Sequence, residues 1–130
     1  MRISILHPFT PEAVGLSEKN LPTIHSQPHI KALQMLSEKR GFECSMDYFT
    51  SKLRGYQLKN QDITYKFYPV SRKWNGDHEK WKKQSSNPCL KSYSKHMPDI
   101  TIINMSGHSS PFSYELSKII TSRNKNYIAM

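Results

Sequence analysis

The stretch 99–104, "DITIIN", constrains this chain more than any other. It is rich in β-branched residues and nearly all apolar, with no polar alternation. That is the pattern of a strand covered on both faces. Such a strand needs a layer of structure on each side. The rest of the chain has the matching pattern, because apolar runs of strand character alternate with runs at helical spacing.

"RISIL" (2–6) reads as a short strand stopped by His7-Pro8. A polar loop with three prolines follows, residues 8–25. Ser26 suits a helix cap, with Pro28 in the first turn. Ile30, Leu33 and Leu36, with neighbouring Ala32 and Met35, mark that helix's buried face, and Gly41 ends it. "FECSMDYF" (42–49) alternates Phe42, Cys44, Met46 and Tyr48 against Glu43, Ser45 and Asp47, so it is a second strand. "GYQLKNQDITYKFYPV" (55–70) reads as two strands joined by Asn60-Gln61-Asp62 and ended by Pro69. Residues 71–87 are the most polar stretch and read as an exposed basic connection. Asn87-Pro88 opens a helix with Leu90, Tyr93 and Met97 on one face, and Pro98 ends it. Ser110-Pro111 starts another, whose face is Phe112, Leu116, Ile119 and Ile120. "NYIAM" (126–130) begins a last strand.

This order predicts one α/β domain over 1–130. Its expected form is a Rossmann-like, doubly wound, mostly parallel sheet with helices on both faces. The closing strand is one that normally lies inside such a sheet, so the chain reads as the truncated half of something larger. The edge beside it would favour self-association if the other half were absent.

The charge balance narrows the partners. Nineteen Lys and Arg against ten Asp and Glu give +9, which suits an anionic ligand or surface. No apolar run is long enough to span a membrane, and the start is no secretory signal. Two cysteines, Cys44 and Cys89, are too few for a disulfide framework and read as buried thiols in a reducing cytoplasm. The dinucleotide fingerprint, the P-loop and the nucleophile elbow are all absent. The six histidines (7, 25, 29, 78, 96 and 108) show no zinc spacing with cysteine, and a metal between His25 and His29 is disfavoured by Pro28. No metal and no cofactor are expected.

In open α/β sheets, ligands bind outside the carboxyl ends of the strands. Two loops fall there. The first, 7–29, carries His7, Ser26 and His29. The second, "MSGHSS" (105–110), carries Ser106, Gly107, His108, Ser109 and Ser110. Gly107 lets backbone approach a ligand. Ser109 and Ser110 suit the cap of the next helix, and His108 would project into the cleft. The ordinary alternative for His108 is a loop histidine with no role. In "RKWNGDHEKWKK", Arg72, Lys73, Trp74, Lys80, Trp81, Lys82 and Lys83 interleave cations with aromatics. The preferred reading is a solvated loop with one tryptophan packed on the sheet, and contact with an anion or membrane surface comes second.

The pattern resembles the N-terminal, acceptor-side domain of a GT-B glycosyltransferase, of the glycosyltransferase family 4-like group. The matching pieces are "MRISILHPF", "PHIKALQMLSEKRGFECSMDYFT", "DITYKFYPV" and, above all, "CLKSYSKHMPDITIINMSGHSSPFSYELSKIITSRNKNYIAM". The resemblance implies a truncated half of a two-domain GT-B fold, facing a C-terminal domain that binds a nucleotide sugar. It implies that His108 lies beside the transferred sugar and that no metal is needed. Where the family usually carries a Gly-Gly pair near the donor phosphates, this chain has "IHSQPHIKA", with Ser26 and His29. The implied function is acceptor binding for a glycosyltransferase, inactive alone, at the cytoplasmic face of a membrane or in the cytoplasm. The acceptor would be a glycan, a lipid or another molecule. The competing readings are a stand-alone flavodoxin-like module for a small phosphorylated ligand, and a basic adaptor for a membrane surface or nucleic acid. Nucleic acid is the least favoured partner.

Overall fold

The computed structural model describes residues 1–7, 10–17, 19–21, 27–60, 62–69, 88–104, 113–123 and 125–129. Their strands are β1 (Arg2–His7), β2 (Glu43–Thr50), β3 (Tyr56–Asn60), β4 (Ile63–Pro69), β5 (Ile100–Ile103) and β6 (Asn126–Ala129). The helices are α1 (Gln27–Arg40), α2 (Pro88–Lys95) and α3 (Ser113–Ser122), with a short 3-10 turn over Pro11–Val14. The six strands form one mostly parallel mixed sheet in the order β3-β4-β2-β1-β5-β6. Only the β3–β4 hairpin is antiparallel.

Side-chain alternation along the strands builds two cores on opposite faces. On one face Ile3, Ile5, Cys44, Met46, Tyr48, Ile63, Tyr65 and Phe67 pack with Ile30 and Leu33 of α1. On the other, Leu6, Phe49, Tyr68 and Ile103 pack with Tyr93 of α2, Met97 just beyond it and Ile120 of α3. Helices therefore cover both faces, as the sequence predicts for an α/β domain. Full burial of a side chain such as Leu33 contributes about 1.5–3 kcal/mol.

The predicted element boundaries agree with the observed ones to within a few residues. Gly41 takes φ +67 after α1, and its N–H reaches the Ser37 carbonyl at 3.0 Å, the left-handed stop that glycine permits. Two expectations need correction. Ala32 and Met35 face solvent, Met35 at 53% exposure, because residues one before and two after Leu33 are turned off the buried stripe that Ile30 and Leu33 share. Ser45 and Asp47, the polar side of the second strand's alternation, are buried. β2 is a central strand covered on both faces, so its polar side meets little solvent. The expected cap Ser26, the connection 71–87 and Phe112 lie outside the described residues, as do the side chains of Cys89, Leu90 and Leu116.

The second face carries a polar seam. Tyr93 Oη lies 2.7 Å from Thr101 Oγ1 and 3.2 Å from Ser4 Oγ, so one phenol joins α2 to β5 and β1. At the amino edge, Arg2 N–H donates to Asp99 Oδ2 at 2.8 Å, and Lys125 Nζ reaches Asp99 Oδ1 at 3.3 Å. Asp99 thus ties the starts of β1, β5 and β6 together. β6 is the sheet's outer strand there, with Tyr127 and Ile128 exposed.

Candidate functional site

β1 and β5 are adjacent, and the helices that follow them in the chain, α1 and α3, pack on opposite faces of the sheet. At their carboxyl ends stand His7, the last residue of β1, and Asn104, the residue after β5. Asn104 N–H donates to the Leu6 carbonyl at 2.9 Å, which carries the β1–β5 ladder one step further. Its side-chain amide lies 3.0 Å from His7 Nδ1. With the amide nitrogen as donor, Nδ1 is the acceptor and the imidazole proton sits on Nε2.

His7 also begins an aromatic row. It pairs in register with Tyr48 of β2, Tyr48 pairs with Phe67 of β4, and Phe67 pairs with Tyr56 of β3. The rings stack in turn: His7 on Tyr48 with centroids 5.0 Å apart, Tyr48 on Phe67 at 5.5 Å, and Phe67 on Tyr56 at 4.2 Å. Lys52 Nζ caps the row, 4.6 Å from the Tyr56 ring centre. Burial pushes the pKa of the Tyr48 hydroxyl well above its ordinary value, with the neighbouring Tyr65 and Asp47 acting in the same direction, so it stays a neutral phenol.

His29, in the first turn of α1, brings a second imidazole to this edge, its ring centre 6.0 Å from that of His7. Its Nδ1 is buried and finds no hydrogen-bond partner among the described residues. The same holds for Thr10 Oγ1, in the loop that leaves β1. Buried polar atoms in this state accept or donate readily to a ligand that reaches them. The loop itself is pinned. Gly15 takes φ +75 after the 3-10 turn, Leu16 N–H returns to the Pro11 carbonyl at 2.9 Å, and Leu21 is buried in the first core. Glu12 Oε1 accepts from Thr50 Oγ1, which fastens this loop to the end of β2.

Of the residues singled out in the sequence, His7 and His29 are brought together. His7 is 1% exposed, so it forms a wall behind the edge and Asn104 fronts it. Ser26, Ser106, Gly107, His108, Ser109 and Ser110 lie outside the described residues. So do Arg72, Lys73, Trp74, Lys80, Trp81, Lys82 and Lys83. Sequence reading missed Asn104, Thr10 and the Tyr48 stack. Asn104 carried a usable signal, being the first polar residue after an apolar strand at the ligand edge.

Among the described residues no group of three or more His, Cys, Asp or Glu is placed to hold a metal ion. No helix among them is long and apolar enough to cross a membrane. No protein family matches the chain, and no curated protein matches it.

Proposed function

We propose that these residues form the acceptor-side, Rossmann-like domain of a GT-B glycosyltransferase of the family 4-like group. The supporting observation is the strand order together with what stands at its switch point. Counted among themselves, the parallel strands run third-second-first-fourth-fifth, the Rossmann order. Ligands bind such sheets where the order reverses, between the first and fourth strands, and there His7 and Asn104 meet beside His29. A flavodoxin-like module would run second-first-third-fourth-fifth, so the strand order disfavours that alternative.

On this reading the edge holds an acceptor hydroxyl. His108, four residues past Asn104 in the sequence, is then the residue on the sugar side, with Ser106, Gly107, Ser109 and Ser110 as further substrate contacts. Glycosyl transfer also needs the donor phosphates held by cations, and a second domain supplies that half.

The test uses the chain as it stands. Addition of candidate acceptor saccharides should produce saturable NMR shifts at the amides of Asn104 and His29. The same preparation should not turn over UDP-glucose or GDP-mannose. Robust turnover by these residues alone would overturn the reading, as would a panel of saccharides that leaves that edge unmoved.

A further inference from the structure

A second polar cavity lies away from the His7 row, at the sheet's amino edge, where it opens onto the face opposite that row and is bounded by the end of α1. It is a cavity of 430 Å³ whose walls include Arg2, Ser45, Asp47, Lys59, Lys66 and His96. Asp47 is 1% exposed. Its Oδ1 is buried without a hydrogen-bond partner among the described residues. Lys66 is the register partner of Asp47 on the neighbouring strand β4, so both side chains rise from the same face side by side. Arg2 is held in place there, its Nη2 donating to the Met97 carbonyl at 2.9 Å.

We propose that this cavity binds a small hydroxylated anion, a hydroxy acid or a sugar phosphate in class, with a ligand hydroxyl donating to Asp47 and the anionic group facing Lys66 and Arg2. The unmet oxygen of Asp47 calls for a donor. The donor is a hydroxyl and not an ammonium or a metal ion, because the Lys66 charge beside Asp47 repels a second cation at that point. The cations Arg2, Lys59 and Lys66 then attract the anionic end, while Glu43 and Asp62, which also line the wall, favour a ligand of modest charge. Ser45 adds a hydroxyl able to donate or accept. This proposal is independent of the glycosyltransferase reading, which concerns the carboxyl edge.

Burial raises the Asp47 carboxyl to about 6, against the opposing pull of Ser45, Lys66 and Ser4. Tyr68 on β4 and Tyr93 on α2 also feel its charge, and Arg2, Glu43, Lys59, Asp62 and His96 line the same cavity. Tyr68 and Tyr93 stay neutral there. Binding should therefore strengthen as pH rises through the Asp47 range, where the carboxyl becomes an acceptor only.

The experiment is a calorimetric and NMR titration of the full chain with four probes: tartrate, succinate, glycerol 3-phosphate and inorganic phosphate. Tartrate or glycerol 3-phosphate should bind saturably and move the amides of Ser45, Asp47 and Lys66. Its hydroxyl-free counterpart should bind roughly tenfold more weakly or worse. Which hydroxylated probe binds tells the carboxylate source from the phosphate source. Lys66→Gln should weaken binding about fivefold or more by removing one charge from the anion. Asp47→Asn should erase the discrimination between tartrate and succinate, and if that variant does not fold, Lys66→Gln still tests the anionic end. No saturable binding of either hydroxylated probe overturns the proposal, and so does equal affinity for probes with and without hydroxyls.

Discussion

Asn104 Nδ2 and His7 Nδ1 stand 3.0 Å apart and bridge the carboxyl ends of two adjacent parallel strands that are 97 positions apart in the chain. The bond carries the β1–β5 pairing past the last backbone ladder step. Replacement of Asn104 by Leu removes that donor from a buried imidazole. The expected cost is about 1–2 kcal/mol, or roughly 3–6 °C in melting temperature. Urea unfolding should show a lower midpoint with an unchanged slope.

Asp47 makes stability depend on pH in the less usual direction. Its folded-state carboxyl titrates at about 6, above its ordinary value of 3.8, because burial disfavours the charge. The folded protein therefore holds a proton that the unfolded chain has released between those values. Stability falls as pH rises through that window, by on the order of 2–3 kcal/mol. Asp99 opposes this only at lower pH. It is an exposed carboxyl held below its ordinary range, first by the Arg2 backbone N–H and then by Lys125. Unfolding free energies at pH 4, 5, 6 and 7 should decline for the native chain. They should be flat across that range for Asp47→Asn.

Gly55 opens β3 under a steric constraint. A Cβ there would lie 2.8 Å from the Phe67 carbonyl oxygen and 3.3 Å from Pro69 Cδ. Both atoms belong to the paired strand, and neither is the flexible end of a side chain. Gly55→Ala should push the hairpin edge outward and cost about 1–3 kcal/mol. Hydrogen exchange should accelerate at the β3 amides more than at those of β1.

The two cores should differ in what they tolerate. Leu33→Ala empties a fully buried site beneath α1 and should cost about 2–5 kcal/mol. Tyr93→Phe keeps the ring, which meets Tyr68 edge-on at 5.3 Å, but removes the hydroxyl between Ser4 and Thr101. That loss should cost about 1–2 kcal/mol. Thermal melts of the two variants should rank in this order. A Tyr93→Phe variant as unstable as Leu33→Ala would mean that the polar seam carries more than local pairing.

Local pattern carried most of the element order. "ITII" is short and apolar because β5 is covered on both faces, and the hairpin is legible in Asn60 and Asp62. Strand order is not a local property, so the placing of β1 beside β5 followed from the expected doubly wound order and from neither strand alone, and the direct contact of His7 with Asn104 had no local signature. Asp47 misleads for a related reason. Alternation reports a half-exposed strand only when one face meets water, and β2 lies at the sheet's centre with Arg2, Ser4, Lys66 and Tyr93 around its polar side. Leu16 and Leu21 sit in a polar, proline-containing loop with no periodicity, yet Leu21 is as buried as any strand residue.

The stacked row from His7 to Tyr56 has a spectroscopic consequence. Aromatic rings shield nuclei that lie over their faces, and His7 is nearly parallel to Tyr48, with 12° between the planes. The imidazole carbon-bound protons should therefore resonate upfield of a solvated histidine. They should move again if Phe67 or Tyr56 is replaced, although those side chains stand two and three strands away. A one-dimensional proton spectrum would then report, from a single ring at the ligand edge, whether the far hairpin is in register.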